Sequence, residues 1–102
     1  MPIQIGILGL GTVGTGVVKV LQQNAEVIQT RSHCDIHIKS ILDNDLHRKR
    51  EVSGDFLLTD QPAEILQDPE IDIIVEVMGG IEPARTYILE ALQHGKHVVT
   101  AN

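Results

Sequence analysis

Residues 3–16 read Ile3-Gln4-Ile5-Gly6-Ile7-Leu8-Gly9-Leu10-Gly11-Thr12-Val13-Gly14-Thr15-Gly16, and the rest of the chain is organised around them. The apolar run Ile3 to Leu8 has the length and content of a buried strand. It breaks at once into glycines, after which Val13, Val17, Val20, Leu21 and Ile28 recur at helical spacing. Strand, glycine turn and amphipathic helix in that order give Gly9-x-Gly11-x-x-Gly14 a dinucleotide-binding meaning. Gly9 permits a sharp turn, Gly11 lets a pyrophosphate approach the backbone, and Gly14 lets the helix pack close to the strand. The first N–H groups of the helix and its positive dipole end then face the phosphates. On these residues alone, the other reading is a strand-to-helix turn with a structural role only.

The sequence has 102 residues, enough for one domain with its own core but small for a whole enzyme. We read residues 1–102 as a single dinucleotide-binding domain without a catalytic or substrate domain. One Phe, one Tyr and no Trp force an aliphatic core, which suits a parallel sheet covered by helices. The net charge of −6 argues against a nucleic-acid partner, since no basic face neutralises phosphates. The lone Cys34 excludes an internal disulfide and any cysteine-based zinc site. The histidines lack ligand spacing, so no metal site is expected. No apolar stretch approaches the roughly 20 residues that span a bilayer. The chain enters a strand at once, leaving no room for a signal peptide, and the expected compartment is the cytoplasm.

Helix A is expected from Thr12 to about Gln29, with Lys19, Gln22, Gln23 and Glu26 facing water. A loop over Thr30 to Asp35 leads to a second strand, Ile36 to Leu42, with Ile36, Ile38 and Leu42 alternating and Ile41 beside them. Phe56 to Thr59 reads as a short third strand. Asp60 is the expected N-cap of a short helix bearing Ile65 and Leu66, which Asp68-Pro69 stops. Ile71 to Met78 is the strongest strand and ends at Gly79-Gly80. A helix with Ala84, Ile88, Ala91 and Leu92 on its apolar face follows, closed by Gly95. His97 to Thr100 makes a fifth strand. This order is an α/β, doubly wound, Rossmann-like parallel sheet with strand order 3-2-1-4-5, truncated before a sixth strand.

Ligands of such sheets sit beyond the carboxyl ends of the strands, where the order reverses. Three loops converge there: Gly9 to Gly14, Asp43 to Asp45, and Met78 to Gly80, with Thr100 to Asn102 at the edge. Asp43 ends the second strand, where an acid accepts hydrogen bonds from ribose hydroxyls; otherwise it is a solvated acid in a turn. His47-Arg48-Lys49-Arg50 is the one basic cluster, either a site for a 2′-phosphate or a solvated loop. Glu76, close to the end of an apolar run, is expected to anchor the following loop rather than to exchange protons.

The stretches Ile5 to Val18, Asp45-Leu46, Asp68 to Ile73, Glu76 to Ala84 and Val98-Val99-Thr100-Ala101-Asn102 together resemble the N-terminal nucleotide-binding domain of homoserine dehydrogenases. The resemblance implies NAD(P)-dependent interconversion of L-aspartate 4-semialdehyde and L-homoserine, toward threonine and methionine. It implies that Leu10, Thr12 and Val13 line the pyrophosphate and adenosine side. Met78, Gly79, Gly80, Ala101 and Asn102 then approach the nicotinamide ribose. Many relatives place an arginine before the Asp-Leu pair, facing a 2′-phosphate, and this chain has Asn44 there. With Asp43 beside it, that departure favours NAD modestly over NADP. The family's catalytic residues lie in the domain that follows, so this piece is expected to bind cofactor and catalyse nothing. The full-length enzyme is expected to be a homo-oligomer.

Two other functions start from a similar first half. One is another amino-acid or semialdehyde dehydrogenase. The second is an NAD(H)-sensing regulatory module, which has no need of a glycine pair beside a nicotinamide.

Overall fold

The computed structural model describes residues 2–47 and 50–101. Asn102, together with Arg48 and Lys49 of the basic cluster, lies outside the described residues. In chain order the elements are β1 (Ile3–Leu8), α1 (Thr12–Gln23), α2 (Ala25–Ser32), β2 (Ile36–Leu42), β3 (Leu57–Thr59), α3 (Ala63–Leu66), β4 (Ile73–Glu76), α4 (Ala84–Gln93) and β5 (His97–Thr100). The strands form one parallel sheet in the order β3-β2-β1-β4-β5, as the right-handed crossover rule requires.

Helices cover both faces of the sheet, and each face has its own apolar cluster. Ile5, Ile7, Leu10, Val18, Ile38 and Ile41 pack on the α1 side. Leu8, Leu42, Ile65, Leu66, Ile71, Ile74 and Ala91 pack on the α3 and α4 side. The central strand β1 feeds both clusters because its successive side chains point to opposite faces.

Several expectations are corrected. Helix A is two helices: Asn24 breaks it at φ −110°, ψ 16°, its Nδ2 donating to the Val20 carbonyl at 2.8 Å. An Asn side chain competes with the helical ladder in this way. The second helix then takes up the first half of the expected loop, as far as Ser32. The buried stripe of α1 is also rotated from the expected one. Gly14 and Val18 are buried, whereas Val13 and Val20 are 56% and 57% exposed. Lys19 and Gln22 do not simply face water; they donate to Glu51 Oε2 at 3.0 Å and to the Ser53 carbonyl at 2.8 Å, tying the β2–β3 loop to the helix.

In β2 the pairing with β1 jumps from Ile5–Ile38 to Gly6–Ser40, so Lys39 forms a bulge. One extra residue inverts which side chains share a face. Ile38 and Ile41 therefore lie in one cluster and Leu42 in the other. Strands three and four are shorter than expected, starting at Leu57 and spanning Ile73–Glu76. Asp60 does not cap α3. Thr59 Oγ1 accepts the N–H of Gln61 at 3.0 Å and donates to Glu64 Oε1 at 2.8 Å. On α4, Ala84 and Ala91 are buried, but Leu92 is 53% exposed.

The bulged Lys39 donates from Nζ to Asp68 Oδ2 at 2.6 Å and to Glu70 Oε1 at 2.7 Å. Nearby, the buried Lys96 ammonium donates to the carbonyls of Asp68 and Ile71, pinning the α3–β4 loop. Burial pushes the Lys96 pKa down. For Asp68 burial acts upward, but the bonds from Lys39 and from the Glu70 N–H outweigh it and hold the carboxyl below its ordinary value.

Two outcomes follow from this packing. Ile74→Ala, at a fully buried central position, is expected to cost about 2–5 kcal/mol in urea denaturation, and Val99→Ala no more than about 0.5 kcal/mol. Because the Asp68 pKa is depressed on folding, the unfolded chain binds more protons, and stability falls as pH drops below about 4. Lys39→Met removes the ammonium responsible, so denaturation midpoints followed against pH are expected to show a shallower acid limb.

Candidate functional site

The carboxyl ends of β1, β2, β4 and β5 open on the same edge of the sheet, and the turns leaving them build the site. β1 ends at Leu8, and Gly9 turns the chain at φ +109°, its N–H donating to the Leu42 carbonyl at 3.0 Å. Helix α1 starts immediately, with Gly11 as N-cap. No side chain caps it and no acidic residue lies in its first turn. The first N–H groups of a helix have no partner within it. Gly11, Thr12 and Val13 are exposed, so that helix end is open to its surroundings, with no carboxylate at its positive dipole end.

Gly14 decides how close α1 lies to the turn. A Cβ built on it would stand 2.2 Å from the Gly9 carbonyl oxygen and 3.0 Å from its carbon, both backbone atoms that have no room to yield. Only a glycine allows this approach, and it sets the helix head directly over the end of β1.

Three cavities meet at Gly11. One of about 190 Å³ is lined by Gly9, Leu10, Leu42, Asp43, Asn44, Val77 and Met78. A second, about 360 Å³, lies between Thr12 and Val13 on one side and Glu76, Val77, Met78, Gly79 and Ala101 on the other. The third, about 460 Å³, runs along the outer side of α1 past Thr12, Thr15, Gly16 and Lys19 to Arg50 and Glu51.

The structure thus brings together Gly9, Leu10, Gly11, Thr12, Val13, Asp43, Asn44, Met78, Gly79 and Ala101 around one crevice. Gly14 acts from beneath, and Gly80 follows at φ +74°, next to Gly79 at φ +78°. Thr100 sits at the end of β5, held to Glu76. The sequence reading missed Thr15, Gly16, Lys19 and Glu51 as cavity lining. Their signal lies in the phase of α1 and in the loop that folds back onto it, neither of which periodicity reports.

Two buried acids organise the walls. Glu76 is 1% exposed; its Oε2 accepts the Met78 N–H at 2.8 Å and its Oε1 the Thr100 hydroxyl at 2.5 Å. Its backbone carbonyl accepts the Ala101 N–H at 3.1 Å. One residue therefore fixes the β4 and β5 exits together, the anchoring role read from the sequence. Asp43 is also buried, at 7% exposure, and pairs with Arg50 instead of facing water. Among the described residues no group of His, Cys, Asp and Glu is placed to hold a metal ion, and no helix is long and apolar enough to cross a membrane.

A bare helix end over a strand, a buried acid at the end of β2 and a cleft with a paired-glycine rim fit the diphosphate, ribose and nicotinamide of a dinucleotide. Comparison with known proteins points the same way. A family profile described as "Homoserine dehydrogenase, NAD binding domain" matches residues 9–102. The homoserine dehydrogenase of Bacillus subtilis is 44% identical over 101 residues, covering 98% of this chain and 23% of that protein. That of Methylobacillus glycogenes is 46% identical over 102 residues, covering 99% and 25%. The crystal structure of Staphylococcus aureus homoserine dehydrogenase at pH 7.0 superposes with a TM-score of 0.93 at 50% identity, over 100% of this chain and 26% of that one. The chain thus spans about a quarter of the length of the relatives it matches.

Removing the anchor gives a direct check on the loop. Glu76→Leu strips the half-buried Met78 N–H of its acceptor and is expected to cost about 1–3 kcal/mol, with faster amide exchange at Met78. Glu76→Gln keeps one acceptor oxygen, and Thr100's hydroxyl can turn to accept from the amide, so this variant is expected to remain near wild type in the same denaturation and exchange measurements.

Proposed function

The chain belongs to the homoserine dehydrogenase family, and on that premise we propose that residues 1–102 are the cofactor-holding domain of an enzyme that interconverts L-homoserine and L-aspartate 4-semialdehyde. The observation that carries the reading is the uncapped head of α1, with three cavities radiating from Gly11. In this reading the first N–H groups of α1 hold the diphosphate, and Asp43 accepts from the adenosine ribose beside Leu10 and Asn44. Met78, Gly79, Gly80, Thr100, Ala101 and Asn102 flank the nicotinamide ribose. The bound nucleotide, NAD or NADP, supplies or accepts the hydride.

What the chain's own residues do is hold and orient. Glu76 locks the β4 and β5 exits, and Gly9 with Gly14 seats the helix end. Among the described residues of the crevice, none is placed as a proton donor for a developing alkoxide. Hydride transfer also needs a substrate held in register with the cofactor. We therefore assign substrate binding and catalysis to the part of the relatives' length that this chain does not span. By itself the chain binds cofactor and turns nothing over. The complete enzyme works as a homo-oligomer in the cytoplasm, a reducing compartment that suits the free thiol of Cys34.

Calorimetric titration of the chain with NAD and with NADP tests the reading, and binding of one equivalent is expected. Gly14→Ala, which collides with Gly9, is expected to weaken binding about tenfold or more, about 1.4 kcal/mol. Gly79→Val, at a left-handed φ of +78°, is expected to do the same, with circular dichroism checking that both variants fold. Unchanged affinity in Gly79→Val would remove that loop from the site.

A further inference from the structure

Two buried acids rim the crevice, and only one of them has a countercharge. Asp43 faces the guanidinium of Arg50 at 3.2 Å, so its charge is answered within the loop that carries it. Glu76 has no such partner. Its Oε2 accepts the Met78 N–H at 2.8 Å and its Oε1 the Thr100 hydroxyl at 2.5 Å, both of them neutral dipoles. Among the described residues no cationic side chain forms an ion pair with it. At 1% exposure the carboxylate also has almost no contact with water. Anchoring the β4 and β5 exits does not require that charge, since an amide at the same place would bond the same N–H and hydroxyl. A buried charge without a countercharge is costly, so its presence here points to a positive charge that arrives with a ligand.

Glu76 lines the cavity of about 360 Å³ that separates the head of α1 from the β4 exit. It is the one charged residue among the described lining, and Val13, Val77, Met78 and Ala101 make much of the remaining wall apolar. Charges are weakly screened in such surroundings. The positive end of α1 borders the same cavity, but in the reading above a diphosphate answers it. The wall left on the nicotinamide side is negative, and its charge comes from Glu76 alone.

A nicotinamide ring carries a positive charge when oxidised and none when reduced. We propose that Glu76 supplies the countercharge for the oxidised ring, so that the crevice distinguishes the two redox states of its cofactor and holds the oxidised one more tightly. This rests on the nucleotide-binding reading above and adds to it a residue that sets the redox preference of the bound cofactor. Glu76 acts through its field, from within the cavity wall, and exchanges no proton. Its two hydrogen bonds fix the carboxylate in place, so the same contacts that anchor the loops also aim the charge.

The test is calorimetric titration of the chain with oxidised NAD, with NADH and with benzamide adenine dinucleotide. The last keeps the flat ring and carboxamide of oxidised NAD but has carbon in place of the charged nitrogen, so it separates charge from shape. Wild type is expected to bind oxidised NAD about tenfold more tightly than the benzamide analogue, the scale of a charge–charge interaction at an effective dielectric of about 20. Glu76→Gln, which keeps an acceptor for the Met78 N–H, is expected to bring that ratio close to one and to leave affinity for the analogue unchanged. The preference for oxidised NAD over NADH is expected to fall in parallel. Asp43→Asn removes a charge that Arg50 already pairs, and is expected to weaken all three ligands alike. Equal affinity of wild type for oxidised NAD and the analogue would overturn the proposal, whether or not the variant folds. So would an unmoved ratio in folded Glu76→Gln, or a shift of the same size in Asp43→Asn. If folded wild-type chain binds none of the three, the nucleotide-binding reading falls and takes the proposal with it, which keeps the two failures apart.

Discussion

The contact between the first turn of α1 and the Gly9 turn governs the rest of the molecule. A carbonyl oxygen at Gly9 occupies the space that a Cβ at Gly14 would need, so helix and strand approach to a distance closed to every other residue. That approach aims the unpartnered N–H groups of α1 into the gap between β1 and β4, where the strand order reverses. The buried stripe of α1, Gly14 and Val18, follows from the same orientation. So does the exposure of Val13, which packing on the sheet would otherwise favour covering.

Around that fixed point the walls are tied by polar contacts across the sheet rather than by apolar packing. Glu76, itself fully buried, joins the exits of β4 and β5 through a backbone N–H and a hydroxyl, so the carboxylate would be costly to leave without either partner. Arg50 does similar work on the other side, binding Asp43 and two carbonyls of its own loop. Lys96 and Lys39 perform it at the opposite end of the sheet, where Asp68 is held below its ordinary pKa. The crevice edge is thereby rigid at its two acids and open between them.

Family membership and geometry divide the question of function cleanly. The fold, the glycine turn and the cleft belong to the quarter of the relatives that this chain spans. The groups that would hold a substrate and move its proton are assigned to the remainder. In the reading proposed above, this domain supplies binding and orientation, and the cofactor supplies the hydride chemistry.

Much of this was legible in the order of residues. The apolar runs, the three glycines and Gly95 are local signals, and they led to the strand order and to the loops that converge. Glu76 was readable as an anchor because an acid at the end of an apolar strand needs partners. What local signals cannot carry are contacts between segments distant in sequence. The bulge at Lys39 and the tie from Lys19 to Glu51 belong to this class. Sequence alone determined the five strands and the sheet order they take, because periodicity, turn chemistry and handedness act over short spans. Tertiary structure alone decided which face of α1 is buried and which charges are compensated, because those depend on where a distant loop comes to rest.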